Sequence, residues 1–363
     1  MKILIATNHS YMLWRFRKEL IERLCLDFEV VLSMPFVGHE DDFQTLGVRC
    51  VNTEIDRRGI NPFNDVELVK RYKRLLDSER PDAVITYSIK PNIYLGSLCR
   101  KRGICYFANV QGLGTAFERP ILSTIVSAMY RRSLKNASAL FFENSQNADF
   151  FVQKKIIPSS RASVLSGAGI NLDEYPYVPP TESTTCRFLY LGRIMKEKGV
   201  DEFFAAAKIL KTELGDKVSF DLVGFYEDSY RETVEKLMEE KIITFHGFRT
   251  DPKPYYAACD AVVMPSWHEG MSNVLLEGAA VGRALITSDI PGCREAVDDG
   301  ASGLLCPTHD IVALTDAMRK FANMTPAERT EMGRRGRELV EKHFDRQNVV
   351  KQTVTIVKNG IGG

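Results

Sequence analysis

The sequence predicts an α/β protein of two Rossmann-like domains, each a doubly wound parallel sheet, facing one another across a cleft. Three observations carry this expectation. Short β-branched runs alternate with stretches of helical period, the pattern of βαβ units with right-handed crossovers. The alternation breaks once, at NLDEYPYVPPTESTT, residues 171–185. It then restarts with the same character and continues to the tail.

Within residues 1–170, the runs KILIAT, FEVVLSM, DAVITYS, ICYFANV and ALFFENS read as strands, because β-branched and aromatic residues dominate each. Between them RFRKELIERL, DVELVKRYKRLLDSER and IYLGSLCRKR carry apolar residues at helical spacing. Residues 171–185 hold three prolines, few aliphatics and a polar end, which suits a linker and a hinge. Residues 186–344 repeat the scheme, with CRFLYLG, VSFDLVG, IITFHG, DAVVMPS and ALITS as strands and AERTEMGRRGRELVEKHF as helix. Residues 345–363, opening on DRQNVVKQTVTIVKNG, are helical in period. Ligands of such sheets sit beyond the carboxyl ends of the strands, so informative motifs are expected just after strands.

Composition excludes several classes. At 363 residues the chain fits two domains, and 44% hydrophobic with 26% charged residues is a globular balance, neither disordered nor fibrous. The eight cysteines are scattered without metal-ligand spacing, which reads as free thiols in a reducing cytoplasm. MKILIATNHS reads as a first strand rather than a signal peptide, because Asn8 and His9 interrupt it. No apolar run approaches the roughly 18 residues of a membrane span. The net charge of +1 conceals an asymmetry: residues 1–170 hold 24 Lys and Arg against 17 Asp and Glu, the remainder 24 against 30. A half of +7 and a half of −6 point to different duties, with a solvated charged surface as the plain alternative. No nucleic-acid partner is expected.

Two motifs follow strands in the second half. After RFLYLG comes RIMKEKG, where Arg193 offers a planar fork for phosphate oxygens and Lys198 a mobile point charge. A solvated loop is the alternative for such a pair taken alone. About seventy residues on, DAVVMPS runs into WHEGMSNVLLEGAA. Gly270 permits a turn, Ser272 and Asn273 are natural N-caps, and VLLEGAA reads as helix. A helix start presents unpaired N–H groups and about half a positive charge. The backbone of Met271, Ser272 and Asn273 is therefore expected on the same diphosphate as Arg193 and Lys198. Glu269 precedes the helix and is expected to reach a sugar beyond the phosphates. Glu277 lies about one turn inside, where a carboxylate can accept from the vicinal hydroxyls of a ribose. For Glu277, complementing the helix dipole without any ligand is the competing account.

LGRIMKEKG, the strand ending in proline and EGMSNVLLE together resemble the retaining glycosyltransferases of family 4, which have the GT-B fold and two glutamates separated by seven residues. GAGIN, FHGFRTD and GRALITSDIPGCREAVDDGASGLLC resemble that family too, so the likeness covers nearly the whole chain. It implies donor binding by the C-terminal domain, with Arg193 and Lys198 on the diphosphate, Glu277 on the ribose and Glu269 on the donor sugar. Glu269, Arg193 and Lys198 are thereby the implied catalytic set. It implies that the base is held largely by backbone near Phe248 and Arg249, and that residues 345–363 cross back to the N-terminal domain. It implies a front-face route in which the departing phosphate oxygen takes the acceptor proton, so no protein base is required. The sequence has no D-x-D pair to hold a divalent ion, so metal-independent transfer is expected, with a UDP-sugar as co-substrate and no cofactor.

In the N-terminal half, NHSYMLWRFRKELI, DRRGINPF, TYSIKPNIYLGSL and NVQGLGTAFER resemble bacterial enzymes that extend a sugar on undecaprenyl diphosphate to build capsules, O-antigens or protein-linked glycans. An acceptor site on residues 1–170 is implied, with Asn8, His9, Ser10, Arg15, Arg17, Lys90, Asn92, Gln111, Gly112 and Gly114 as its candidates. Lys90, at a strand exit, is read as meeting the acceptor diphosphate, or else as a surface lysine. Gln111 stands where the resemblance implies a histidine, so no catalytic histidine is assigned, and His9 and His268 are each read as a cleft or loop residue. YMLWRFRKEL interleaves aromatics with Arg15, Arg17 and Lys18, which suits an anionic bilayer; a helix with core aromatics and solvated cations is the alternative. The expected address is cytoplasmic, peripheral on the inner face of the membrane. Competing readings are a UDP-N-acetylglucosamine 2-epimerase-like isomerase, a transferase with a soluble acceptor, and a silent subunit that binds UDP-sugar. A dinucleotide oxidoreductase is disfavoured, since the turn after the first strand reads NHSYML, without the glycines that turn needs.

Overall fold

In a computed structural model of the chain, the described residues are 1–56, 62–112, 117, 120–180 and 183–362. They form two compact units, residues 1–168 with 347–363, and residues 169–346.

The first unit is built on β1 (Lys2–Ala6), β2 (Glu29–Met34), β3 (Arg49–Asn52), β4 (Ala83–Tyr87), β5 (Cys105–Val110), β6 (Ala139–Phe142) and β7 (Ala162–Val164). All pair in parallel, in the order β3-β2-β1-β4-β5-β6-β7, with Ile3 opposite both Val30 and Ala83. The central strands are buried along their whole length because helices cover both faces of a parallel sheet. Five of these strands are the expected ones. The short edge strands β3 and β7 fall where no strand was expected. Strand order reverses between β1 and β4, so the loops after residues 6 and 87 flank the switch point. One face of this sheet is closed by the last helix, Arg346–Gly362, whose Val349, Val350, Val354 and Val357 join the cluster of Ile3, Ile5 and Phe107.

The second unit carries β8 (Cys186–Leu191), β9 (Val218–Val223), β10 (Thr244–Phe245), β11 (Ala261–Met264), β12 (Ala284–Ser288) and β13 (Gly303–Cys306). They are parallel in the order β10-β9-β8-β11-β12-β13, with the switch between β8 and β11. IITFHG yields only two strand residues, and β13 was not expected. Two apolar clusters cover its faces, one with Phe188, Phe203 and Phe220, the other with Val262, Leu275 and Leu276.

The linker expectation needs correction. Residues 171–180 pack on the second unit. The Val178 N–H donates to Val281 O at 3.1 Å, Tyr175 is buried, and the Tyr177 ring fills the space that a side chain on Gly282 would take. Tyr175, Tyr177 and Val178, around Pro176, supply apolar contact that a free linker lacks. The chain passes between units at 168–169 and 346–347 instead.

Val357 is fully buried between the last helix and the first sheet. Val357→Ala is expected to cost about 2 kcal/mol through lost burial and a residual cavity, read as a lower urea midpoint.

Candidate functional site

The second unit brings the loops after β8 and β11 together at its switch point. Beyond β8, residues 192–198 turn through a short helix at Lys196–Lys198. The Tyr190 hydroxyl donates to the carbonyls of Arg193 (3.0 Å) and Lys198 (3.4 Å), which holds this loop shut. Burial pushes the Tyr190 phenol well above its ordinary pKa, so it stays a donor. Gly199 follows at φ +68°, where a Cβ would lie 1.9 Å from Pro265 O. Only glycine lets the two loops touch there. The Trp267 N–H completes the tie, donating to Glu197 O at 3.0 Å.

Beyond β11, Ser272 caps the helix Asn273–Ala280, its hydroxyl accepting from the Leu275 N–H at 3.3 Å. The Ser272 N–H donates to Gly292 O at 2.8 Å. Met271 has its side chain in the apolar core, so its backbone is what it offers. Gly270 and Asn273 are half-buried.

Lys198 and Glu269 meet. Lys198 Nζ lies 2.5 Å from Glu269 Oε1, and the buried Ser266 hydroxyl donates to the same oxygen at 2.9 Å. Arg193 is 42% exposed, with its guanidinium 3.5 Å from Glu227 Oε2. Glu277 is buried at 3% exposure and accepts from the Tyr256 hydroxyl at 2.9 Å. Phe248 and Arg249 are exposed, and the Phe248 ring meets Phe225 edge-on at 5.8 Å. Cys293 is buried, and burial raises its thiol pKa, so it is no nucleophile. Among the described residues, no three His, Cys, Asp or Glu side chains gather as a metal site requires.

Two family models match the chain: "Glycosyl transferase 4-like" over residues 2–144 and "Glycosyl transferases group 1" over residues 185–324. The chain belongs to this glycosyltransferase family. It is 26% identical over 336 residues to the N,N'-diacetylbacillosaminyl-diphospho-undecaprenol alpha-1,3-N-acetylgalactosaminyltransferase of Campylobacter jejuni, covering 87% of this chain and 88% of that protein. In structure it resembles sucrose-phosphate synthase from Thermosynechococcus elongatus, with TM-score 0.81, 18% identity, and 99% and 98% of the two chains covered. It also resembles Anabaena HepE in complex with UDP and glucose, with TM-score 0.79, 14% identity, and 99% and 100% covered. These likenesses show the fold, which is GT-B.

In the first unit of the glycosyltransferase, three of the expected acceptor residues turn inward. Ser10 is fully buried, donating to Glu40 at 3.1 Å and accepting from the Val37 N–H at 3.0 Å. Arg17 is 6% exposed, paired with Glu143 at 3.0 Å and lying over the Tyr87 ring. Asn92 is 1% exposed; it accepts from the Thr86 hydroxyl at 2.6 Å and donates to Asn109 O at 2.8 Å. Each serves the interior, because a buried polar group must find its partner inside. Asn8 accepts from the Ser88 hydroxyl at 2.8 Å, joining the exits of β1 and β4. Lys90 is held by Asp65 at 2.8 Å, and Asp65 also accepts from the Tyr94 hydroxyl. His9 packs edge-on against Tyr11, and the Arg15 guanidinium lies over the Phe16 ring. Gln111 is exposed and Gly112 half-buried after β5; Gly114 lies outside the described residues.

Sequence reasoning missed Ser266, Glu227 and Tyr256. Ser266 sits three residues before Glu269 and was within reach of inspection. Glu227 and Tyr256 are brought in by tertiary structure alone.

Gly199→Ala is expected to cost about 1–3 kcal/mol, from a positive φ and the clash with Pro265. Differential scanning calorimetry checks it.

Proposed function

We propose that this glycosyltransferase moves a hexose or N-acetylhexosamine from a UDP-sugar to an undecaprenyl-diphosphate-linked saccharide, with retention, in bacterial surface polysaccharide or glycan biosynthesis. One observation carries the reading. At the switch point, a lysine, a carboxylate and a capped helix start converge from two neighbouring strand exits. That set matches a sugar joined to a diphosphate. The lipid-linked acceptor and the N-acetylhexosamine are supported by the printed activity of the Campylobacter relative. The UDP donor is supported by the HepE complex.

In this reading the bond from the anomeric carbon to the diphosphate oxygen breaks, and the acceptor hydroxyl bonds to that carbon on the same face. The acceptor proton passes to the departing phosphate oxygen. Charge therefore gathers on the UDP. Lys198, Arg193 and the start of the helix would meet it, although the Ser272 N–H expected to take part is already given to Gly292 O; donors placed in advance cost no reorganisation during the reaction. Glu269 gives up its contact with Lys198 to a phosphate oxygen and turns to the sugar hydroxyls. Glu277 holds the ribose. No divalent ion is required for this balance of charge.

Membrane contact belongs to the same proposal. No helix among the described residues is long and apolar enough to cross a membrane. Met12, Phe36 and Val37 are exposed together near the start of the helix Ser10–Cys25, and Val37 is tied to that helix through Ser10. Arg15 and Lys18 lie on the same helix. An apolar patch beside cations suits the interface of an anionic bilayer, which supports a cytoplasmic enzyme resting on the inner face of the membrane.

Arg193→Ala is expected to lower turnover at least tenfold, the loss of one aimed donor being worth about 10²–10³. A radiolabelled transfer assay with a lipid-linked acceptor checks it, and a folded variant with near-native turnover contradicts the reading. Transfer is also expected to survive EDTA; a complete loss restored by Mg²⁺ overturns the metal-free route.

A further inference from the structure

Glu277 needs a fixed orientation if its carboxylate is to meet two neighbouring hydroxyls, since a free glutamate side chain samples many rotamers. The structure shows how it is fixed. Tyr256 is fully buried in the helix Lys253–Ala258, and its hydroxyl donates to Glu277 Oε2 at 2.9 Å. A neutral donor on a carboxylate is a charge-assisted hydrogen bond, stronger than its neutral counterpart.

The tyrosine is itself anchored at its backbone. Arg283 is 1% exposed, and its Nε donates to Tyr256 O at 2.7 Å. Its Nη2 donates to Ala257 O at 3.1 Å and to Val178 O at 2.9 Å. Among the described residues, every hydrogen-bond partner of this guanidinium is a backbone carbonyl. The end of a helix leaves its last carbonyls unpaired and carries partial negative charge, so a buried cation is held there without a carboxylate. Arg283 thus pins the end of the helix that carries Tyr256. The Tyr175 ring packs edge-on against the Tyr256 ring at 6.4 Å.

We propose that Tyr256, seated by Arg283, is a positioning residue that sets the orientation of Glu277 and thereby the selectivity of the donor site for ribonucleotides over deoxyribonucleotides. The proposal rests on the reading of Glu277 as the ribose ligand. Tyr256 touches no reacting atom. Its effect falls on binding that is equal in ground state and transition state, so it moves KM and leaves kcat in place.

The test measures dissociation constants of UDP and of 2′-deoxy-UDP by calorimetry, on wild type, Tyr256→Phe and Glu277→Gln. Wild type is expected to prefer UDP. In Tyr256→Phe the UDP constant is expected to rise roughly tenfold, with 2′-deoxy-UDP moving by less than about twofold, so the preference collapses. The donor KM rises with it, and kcat stays within about twofold of wild type. A wild-type preference in Tyr256→Phe, with Glu277→Gln having lost it, overturns the positioning role and leaves the ribose reading standing. A wild-type preference in Glu277→Gln overturns the ribose reading itself. If Tyr256→Phe does not fold, Arg283→Lys carries the test, because lysine keeps the charge and cannot span the four carbonyls. A diminished preference there supports the proposal and an unchanged one overturns it.

Discussion

The contact between Lys198 and Glu269 is the constraint on which the second unit is organised. It joins residues 71 positions apart, and both side chains are largely shielded from water. A shielded ion pair gains from its geometry only if that geometry is held, because desolvation works against it. Everything near it serves that end. β8 and β11 are neighbours, so their exits lie side by side. The Tyr190 hydroxyl closes one loop on itself, and Gly199 lets it press against Pro265. The Trp267 N–H and the Ser266 hydroxyl fix the other loop to the first and to the carboxylate. In the proposed reaction, a pair so held exchanges one partner for a phosphate oxygen without moving its scaffold.

The two sheets show how the same topology serves different chemistry. At the first unit's switch point, Asn8 and Ser88 share a hydrogen bond, and Lys90 leans on Asp65. There the strand exits themselves are tied by neutral groups. At the second, a lysine and a carboxylate meet across the exits, with Arg193 half-exposed and paired with Glu227. The inward ion pair of the first unit, Arg17 with Glu143, keeps the buried Arg17 guanidinium over the Tyr87 ring. A basic run in the sequence therefore says little about which cations face outward.

Much of this was legible in the sequence, and what escaped has physical causes. The long strands announce themselves because a parallel sheet buries both faces and demands runs of β-branched residues, as in DAVITYS. β3 and β7 are four and three residues long at sheet edges, too short to impose a pattern. Arg193, Lys198, Glu269 and Glu277 were legible from local motifs, because each lies within a few residues of a strand exit or helix start. Arg17, Asn92 and Ser10 were read as acceptor candidates, and their burial was not legible because their partners are brought in by the fold: Glu143 stands 126 residues from Arg17. Tyr256 and Arg283 were invisible for the same reason. Proline count misled in residues 171–185, where the tyrosines on either side of Pro176 supply the packing.

That misreading bears on how the segment is held. Arg283 reaches Val178, and the Arg337 guanidinium donates to Tyr175 O at 2.7 Å, so the segment after Ile170 is fastened to the second unit by two arginines. Its other boundary is fastened as well. The Ile170 N–H donates to Phe344 O at 2.7 Å and the Arg346 N–H to Ile170 O at 3.0 Å, while the Arg346 side chain grips Gly169 O. Gly169 allows this because its backbone lies against Arg346, where a Cβ would sit 2.6 Å from Arg346 Cα. The two chain exits of the second unit are thus bound to each other. The same unit holds the chain of contacts that runs from Val178 through Arg283 and Tyr256 to Glu277. The segment that looked like a tether in the sequence is therefore part of the scaffold behind that carboxylate.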